Sequence, residues 1–201
     1  MTSSIDPRSG AEETFFLPSA IDLGVLGECL GQVALPGLLL LLSGAMGSGK
    51  TTLAAGVARG MGISGRIASP TFLYVQSYPA PLSPPGLPLL HADWDRVSSQ
   101  SEDLEEALVE GANERVTLVE WGEKLPASLV AVFPLRLHLH LSIPEGQEGR
   151  LLRILWASES AKREGLTRFR ENFRRLLEIE PPSLLRTPKA SETHDPFHGR
   201  I

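Results

Sequence analysis

An α/β fold, with helices flanking a sheet, is predicted for this 201-residue chain on three observations. The five leucines Leu38 to Leu42 lie between Pro36-Gly37 and Ser43-Gly44. That run is too short for a helix and reads as a strand buried on both faces. Gly44-x-x-x-x-Gly49-Lys50-Thr51 follows at once and fits the phosphate-loop pattern G-x-x-x-x-G-K-[ST]. A helical segment comes next, so strand, loop and helix stand in the order the pattern requires, which a chance match in a glycine-rich loop would not supply.

The loop sets the expected chemistry. Its glycines allow a tight turn in which successive amide N–H groups point into one cavity and hold phosphate oxygens. The helix that starts near Gly49 directs its positive dipole end at the same anion. Gly44, Gly47, Ser48, Gly49, Lys50, Thr51 and Thr52 are therefore the expected nucleotide-binding residues. Lys50 is expected to reach the β- and γ-phosphates, and the Thr51 hydroxyl to ligate Mg²⁺.

Composition narrows the class. A hydrophobic fraction of 42% and a charged fraction of 21% describe an ordinary globular chain, long enough for a sizeable core. The net charge of −5 argues against nucleic-acid affinity spread over the whole surface, while leaving room for a local basic patch. A single cysteine, Cys29, excludes an internal disulfide and sits in an apolar pattern as core. With no export signal at the N-terminus and no span-length apolar run, a cytoplasmic protein is expected.

Taken in order, Thr14 to Leu17 predicts a short strand stopped by Pro18. Ser19 and Asp22 predict a helix start, with Ile21, Leu26, Leu30 and Val33 as its apolar stripe, although Gly24, Gly27 and Gly31 weaken the helix. The phosphate-loop helix should run to about Arg59 and end at Gly60 and Gly62. Residues 72–92 read as an antiparallel hairpin with a proline-rich connection (prolines 79, 81, 84, 85 and 88), its second strand starting at Leu89-Leu90. Ser99 and Glu102 suggest a capping box for a helix reaching about Glu110, its acidic residues a solvated face. Val116 to Val119 predicts a strand. Leu135 to Ile143 alternates strictly and predicts a half-exposed strand, paired through PEGQEG with Arg150–Trp156. Residues 158–179 predict an amphipathic helix with Leu166, Phe169, Phe173, Leu176 and Leu177 on one face and Lys162, Arg163, Arg168, Arg170, Arg174 and Arg175 on much of the rest. His138 and His140 share a strand face; without a third ligand nearby they read as exposed polar groups rather than a metal site.

A phosphate loop by itself indicates only a nucleoside triphosphate. Phosphoryl transfer also needs an acidic residue near the metal and often a group that positions the attacking water. Asp93 and Glu120, each at the end of a predicted strand, qualify. A GTPase is disfavoured, because no lysine lies in an N-K-x-D or T-K-x-D sequence and no aspartate precedes a glycine by three positions. A small-molecule kinase stays open, though its arginine-rich lid is missing from the central elements.

Four motifs in order resemble the TsaE (YjeE) ATPases of bacterial tRNA threonylcarbamoyladenosine synthesis. They are GAMGSGKT, Ser69–Phe72 (SPTF), His91–Arg96 (HADWDR) and Glu120–Glu123 (EWGE). The resemblance implies a P-loop-type sheet with an inserted antiparallel hairpin, a C-terminal edge hairpin, and a Mg²⁺-dependent ATPase, slow without its partners TsaD and TsaB. It implies Asp93 and Glu120 with Thr51 at the metal, Glu120 and Lys50 as catalytic groups, Thr71 as sensor of the γ-phosphate, and Trp121 beside the nucleotide. Two positions depart from the family pattern: Ala45 stands where an acidic residue is usual, and Asp95 where tyrosine is usual. On this reading residues 1–12 are a disordered leader, 13–157 the ATPase domain, 158–180 a basic helix with tRNA contact as one reading, and 181–201 a disordered tail.

Overall fold

A computed structural model describes residues 11–65, 67, 74–95, 97, 102–158 and 163–179. The SPTF segment with Thr71, Arg96 of HADWDR and the Ser99 cap lie outside these residues, as do the leader up to residue 10 and the tail from 180. Seven strands form one sheet in the order β1-β7-β6-β2-β5-β4-β3. They are β1 (Ala11–Leu17), β2 (Leu38–Ser43), β3 (Val75–Tyr78), β4 (Leu89–Asp93), β5 (Val116–Glu120), β6 (Leu135–Ser142) and β7 (Arg150–Ser158). The helices are α1 (Ala20–Gln32), α2 (Lys50–Gly60), α3 (Glu102–Val109), the short α4 (Ala127–Val130) and α5 (Arg163–Ile179).

The leucine run is the central strand. β5 and β6 flank β2 in parallel, β4 continues the parallel set beyond β5, and all five leucines of β2 are buried. Their alternation divides the core. Leu38, Leu40 and Leu42 face the layer of α1, α2 and α5, while Leu39 and Leu41 face Trp94, Leu108, Leu129 and Phe133 on the other side. Each fully buried leucine stabilises the fold by roughly 2 kcal/mol. The inserted hairpin forms as β3 paired antiparallel with β4; the β6–β7 hairpin also forms, but it does not take the sheet edge, because β1 pairs beyond β7.

Several local expectations change. β1 starts at Ala11 rather than Thr14, because β7 supplies ladder partners from Trp156 onward (Ala11↔Trp156, Glu12↔Leu155). α1 has the expected capping box between Ser19 and Asp22, but Ile21 is exposed and Leu23 takes its place in the stripe. Leu23, Leu26 and Leu30 keep the three- and four-residue spacing of a helix face, and Ile21 does not. β6 is more covered than a half-exposed strand: Arg136 is buried, and His138 and His140 are half-buried.

The glycines that weaken α1 as an isolated helix have a packing reason. A Cβ on Gly27 would stand 2.6 Å from the Leu53 carbonyl oxygen, and one on Gly56 would stand 2.3 Å from that of Gly24. α1 and α2 therefore touch backbone to backbone, which holds the phosphate-loop helix firmly against its neighbour. α5 buries Phe169 and Phe173 against Trp156, with ring centroids 5.6 and 5.8 Å apart, so this helix belongs to the main core. Arg170 and Arg174 both pair with Glu13 of β1.

Candidate nucleotide site

The loop Gly44–Gly49 leaves the carboxyl end of β2, between the ends of β5 and β6, where ligands bind in open α/β sheets. Gly49 caps α2 in the left-handed region (φ 108°), which admits the turn from loop to helix. Ala45, Met46 and Gly47 are exposed at the tip, Ser48 is buried, and Thr51 and Thr52 are half-buried on the first turn of α2. Lys50 is only 6% exposed; its Nζ donates to the carbonyls of Gly44 (2.7 Å) and Ala45 (3.0 Å), inside the curve of the loop.

Two further predicted residues converge here from other strands. Glu120 ends β5 and is 3% exposed. Its Oε2 accepts the Thr51 hydroxyl at 2.9 Å, and its Oε1 lies 3.1 Å from His91 Nε2. Burial of a carboxylate is costly without such partners, and two hydrogen-bonding groups offset part of that cost. Asp93 ends β4 directly opposite Glu120 in the ladder, and its Oδ1 accepts the Asp95 N–H at 3.0 Å. Both carboxylates share the face of α2, since Val116, Leu118 and Leu89 of the same parity pack there.

Trp121 follows Glu120 in a left-handed conformation (φ 58°, ψ 40°), which costs a bulky residue about 1–3 kcal/mol. That geometry sets the ring against two ammonium groups, Lys50 Nζ at 3.9 Å from its centroid and Lys124 Nζ at 4.8 Å. Lys124 also binds Asp95 (2.7 Å to Oδ1), so this carboxylate is an ion-pair partner.

The donor set fits a hard divalent cation. Thr51 offers a hydroxyl, and Asp93 and Glu120 offer carboxylate oxygens, the ligand type Mg²⁺ prefers. Among the described residues no group of three or more His, Cys, Asp or Glu forms a metal cage. Mg²⁺ at phosphate-loop sites takes one or two protein oxygens and completes its shell with phosphate and water, so a sparse protein set is adequate. His138 and His140 lie on β6 beside β2, and His140 Nδ1 pairs with the Ser43 hydroxyl at 3.0 Å.

Two contacts of the site go beyond the expected residues. His91 stands inside HADWDR, and the two-residue strand period from Asp93 puts it on the face of Glu120. Arg150 reaches the loop from β7, with Nε 3.0 Å from the Ser48 carbonyl. Nothing local marks it, because loop and arginine are about a hundred residues apart.

Comparison with known proteins gives the family. The family model described as threonylcarbamoyl adenosine biosynthesis protein TsaE matches residues 17–151. The tRNA threonylcarbamoyladenosine biosynthesis protein TsaE of Streptomyces coelicolor is 37% identical over 99 residues, 49% of this chain and 66% of that protein. The Synechocystis protein of the same name is 37% identical over 116 residues (56% and 71%), and that of Bacillus subtilis 39% over 109 (52% and 63%). The chain thus spans about two thirds of the length of these relatives. In fold it is similar to the crystal structure of Bacillus subtilis YdiB, with a TM-score of 0.61 at 24% identity over 83% of this chain and 97% of that one.

Proposed function

This chain belongs to the TsaE family, and from that premise we propose that it hydrolyses ATP in support of threonylcarbamoyl transfer to adenosine 37 of tRNA. The observation that carries the reading is the direct hydrogen bond from Thr51 to Glu120, which joins the phosphate loop to a buried carboxylate. Lys50 stabilises charge on the β- and γ-phosphate oxygens, and the amides of Gly44–Thr52 hold the phosphates in place. Glu120 orients the attacking water and takes up its proton, with His91 fixing the carboxylate. Thr51, Asp93 and Glu120 would hold Mg²⁺, which neutralises phosphate charge when bound. Thr71 responds to the γ-phosphate, and Trp121 closes the site beside Lys50.

The partners are TsaD, which carries out the transfer, and TsaB; ATP turnover here resets their complex, in the cytoplasm. tRNA is reached through that complex. A direct contact from α5 rests on Arg168 and Arg175, which are exposed, because Arg170 and Arg174 are already paired with Glu13.

The test is the fate of γ-labelled ATP with the chain alone and with TsaD and TsaB added. Label released as phosphate, faster with the partners, supports the reading. Label on an acceptor marks a small-molecule kinase instead, and label retained as bound ATP marks a nucleotide-gated binding module.

A further inference from the structure

We infer that Arg150 is a positioning residue that shapes the phosphate loop for a triphosphate, an inference that rests on the ATPase reading. Arg150 is the first residue of β7, and its guanidinium makes three bonds to backbone oxygens. Nε donates to Ser48 O at 3.0 Å, Nη2 to Gly47 O at 3.3 Å, and Nη1 to Gly149 O at 2.7 Å. Two of these acceptors are consecutive carbonyls of the loop.

In a trans peptide the C=O and N–H point to opposite sides of one plane. Turning the Gly47 and Ser48 carbonyls toward Arg150 therefore turns the N–H groups of Ser48 and Gly49 the other way. The Ser48 N–H makes a 3.2 Å turn bond to Ala45 O within the loop. Charge-assisted bonds at the carbonyls also polarise those peptides, strengthening the Ser48 turn bond and making the Gly49 N–H a better donor to an anion. Lys50 and the Ser48 amide tie the loop to itself, whereas Arg150 ties it to the sheet.

The anchor is itself fixed. Arg150 stands opposite Leu17 in the β1–β7 ladder. Gly149 before it has φ 113°, and a Cβ there would stand 2.8 Å from the Leu17 carbonyl oxygen. The forked guanidinium spans two carbonyls at once; a lysine ammonium at the end of a flexible stem holds no such fixed geometry. Arg150 thus couples the edge of the sheet to the curvature of the phosphate loop.

The experiment compares full-length wild type with Arg150→Lys and Arg150→Ala, using Arg150→Gln if the alanine variant does not fold. Amide hydrogen exchange of Gly47, Ser48 and Gly49, measured without nucleotide, is expected to speed up in every variant at nearly unchanged melting temperature. Mg·ATP affinity is expected to fall about tenfold to a hundredfold, with lysine restoring little of it. Unchanged loop exchange and unchanged affinity would overturn the role. Full recovery by lysine would also overturn it, because charge alone would then suffice. A wild-type chain that binds no ATP sinks the ATPase reading, while the exchange data still decide whether Arg150 holds the loop.

Discussion

Thr51 and Glu120, 69 residues apart in the chain, are joined by a 2.9 Å hydrogen bond from the threonine hydroxyl to the carboxylate. The bond ties the first turn of α2 to the end of β5 and puts the two sides of the site in direct contact. Its buried acceptor is held from the other side by His91, so the carboxylate has little freedom to rotate.

Glu120→Gln is expected to keep ATP and Mg²⁺ binding, with Lys50, Thr51 and Asp93 still holding the triphosphate and the metal, while hydrolysis falls by about two orders of magnitude or more. The amide has nearly the same shape but lacks the charge that orients and deprotonates water. Asp93→Asn is expected to behave differently, weakening the Mg²⁺-dependent part of binding. Nucleotide titrations with and without Mg²⁺, alongside phosphate release with TsaD and TsaB, separate the two. Wild-type turnover in Glu120→Gln would remove that residue from the chemistry.

Lys50→Ala removes the cation at the loop and its two bonds to Gly44 O and Ala45 O. ATP affinity is expected to fall by about tenfold or more, with hydrolysis lost. ADP and ATP titrations provide the check: a variant that binds both like wild type would show that Lys50 faces no phosphate.

Gly27→Ala is expected to destabilise the fold by about 1–3 kcal/mol, because the new methyl meets the backbone of Leu53 and Gly56, which cannot swing aside. Gly165→Ala in α5 is the control. Nothing lies within 4 Å of a Cβ there, so alanine is expected to be neutral or to stabilise by up to about 1 kcal/mol. Denaturant midpoints of the two variants should shift in opposite directions, or the second not at all.

His138 and His140 titrate below the ordinary histidine value of 6.5. Burial is the main cause, reinforced by Arg136 at His138 and by Arg153 at His140, where Glu123 opposes the shift. The folded state then binds fewer protons than the unfolded chain, so these groups contribute stability that is present above 6.5. That stability is lost as the pH falls through their lowered values. The melting temperature should drop below pH 6.5, and His138→Gln together with His140→Gln should flatten the slope. An equally steep slope in the double variant would place the pH sensitivity elsewhere.

Much of the site was legible in the sequence because its signals are local. Leu38–Leu42 has no polar residue to expose, and Gly49-Lys50-Thr51 needs its neighbours only a turn away. The strand ends at Asp93 and Glu120 are set by short apolar runs that precede them. The glycines of α1 hide its helix face in the sequence; packing in the core puts Leu23 in the stripe and leaves Ile21 exposed.

The central strand, the phosphate loop, the helix that follows it and the carboxylates available to serve it can be read from the chain directly, since each is written within a few consecutive residues. Tertiary structure alone decided that Thr51 meets Glu120, that Arg150 holds the loop, that β1 begins at Ala11, and that two of the basic residues of α5 face Glu13. Those contacts join residues from about seventy to about a hundred and sixty positions apart. Their partners become neighbours only when the sheet assembles, and no property of either residue names the other in advance.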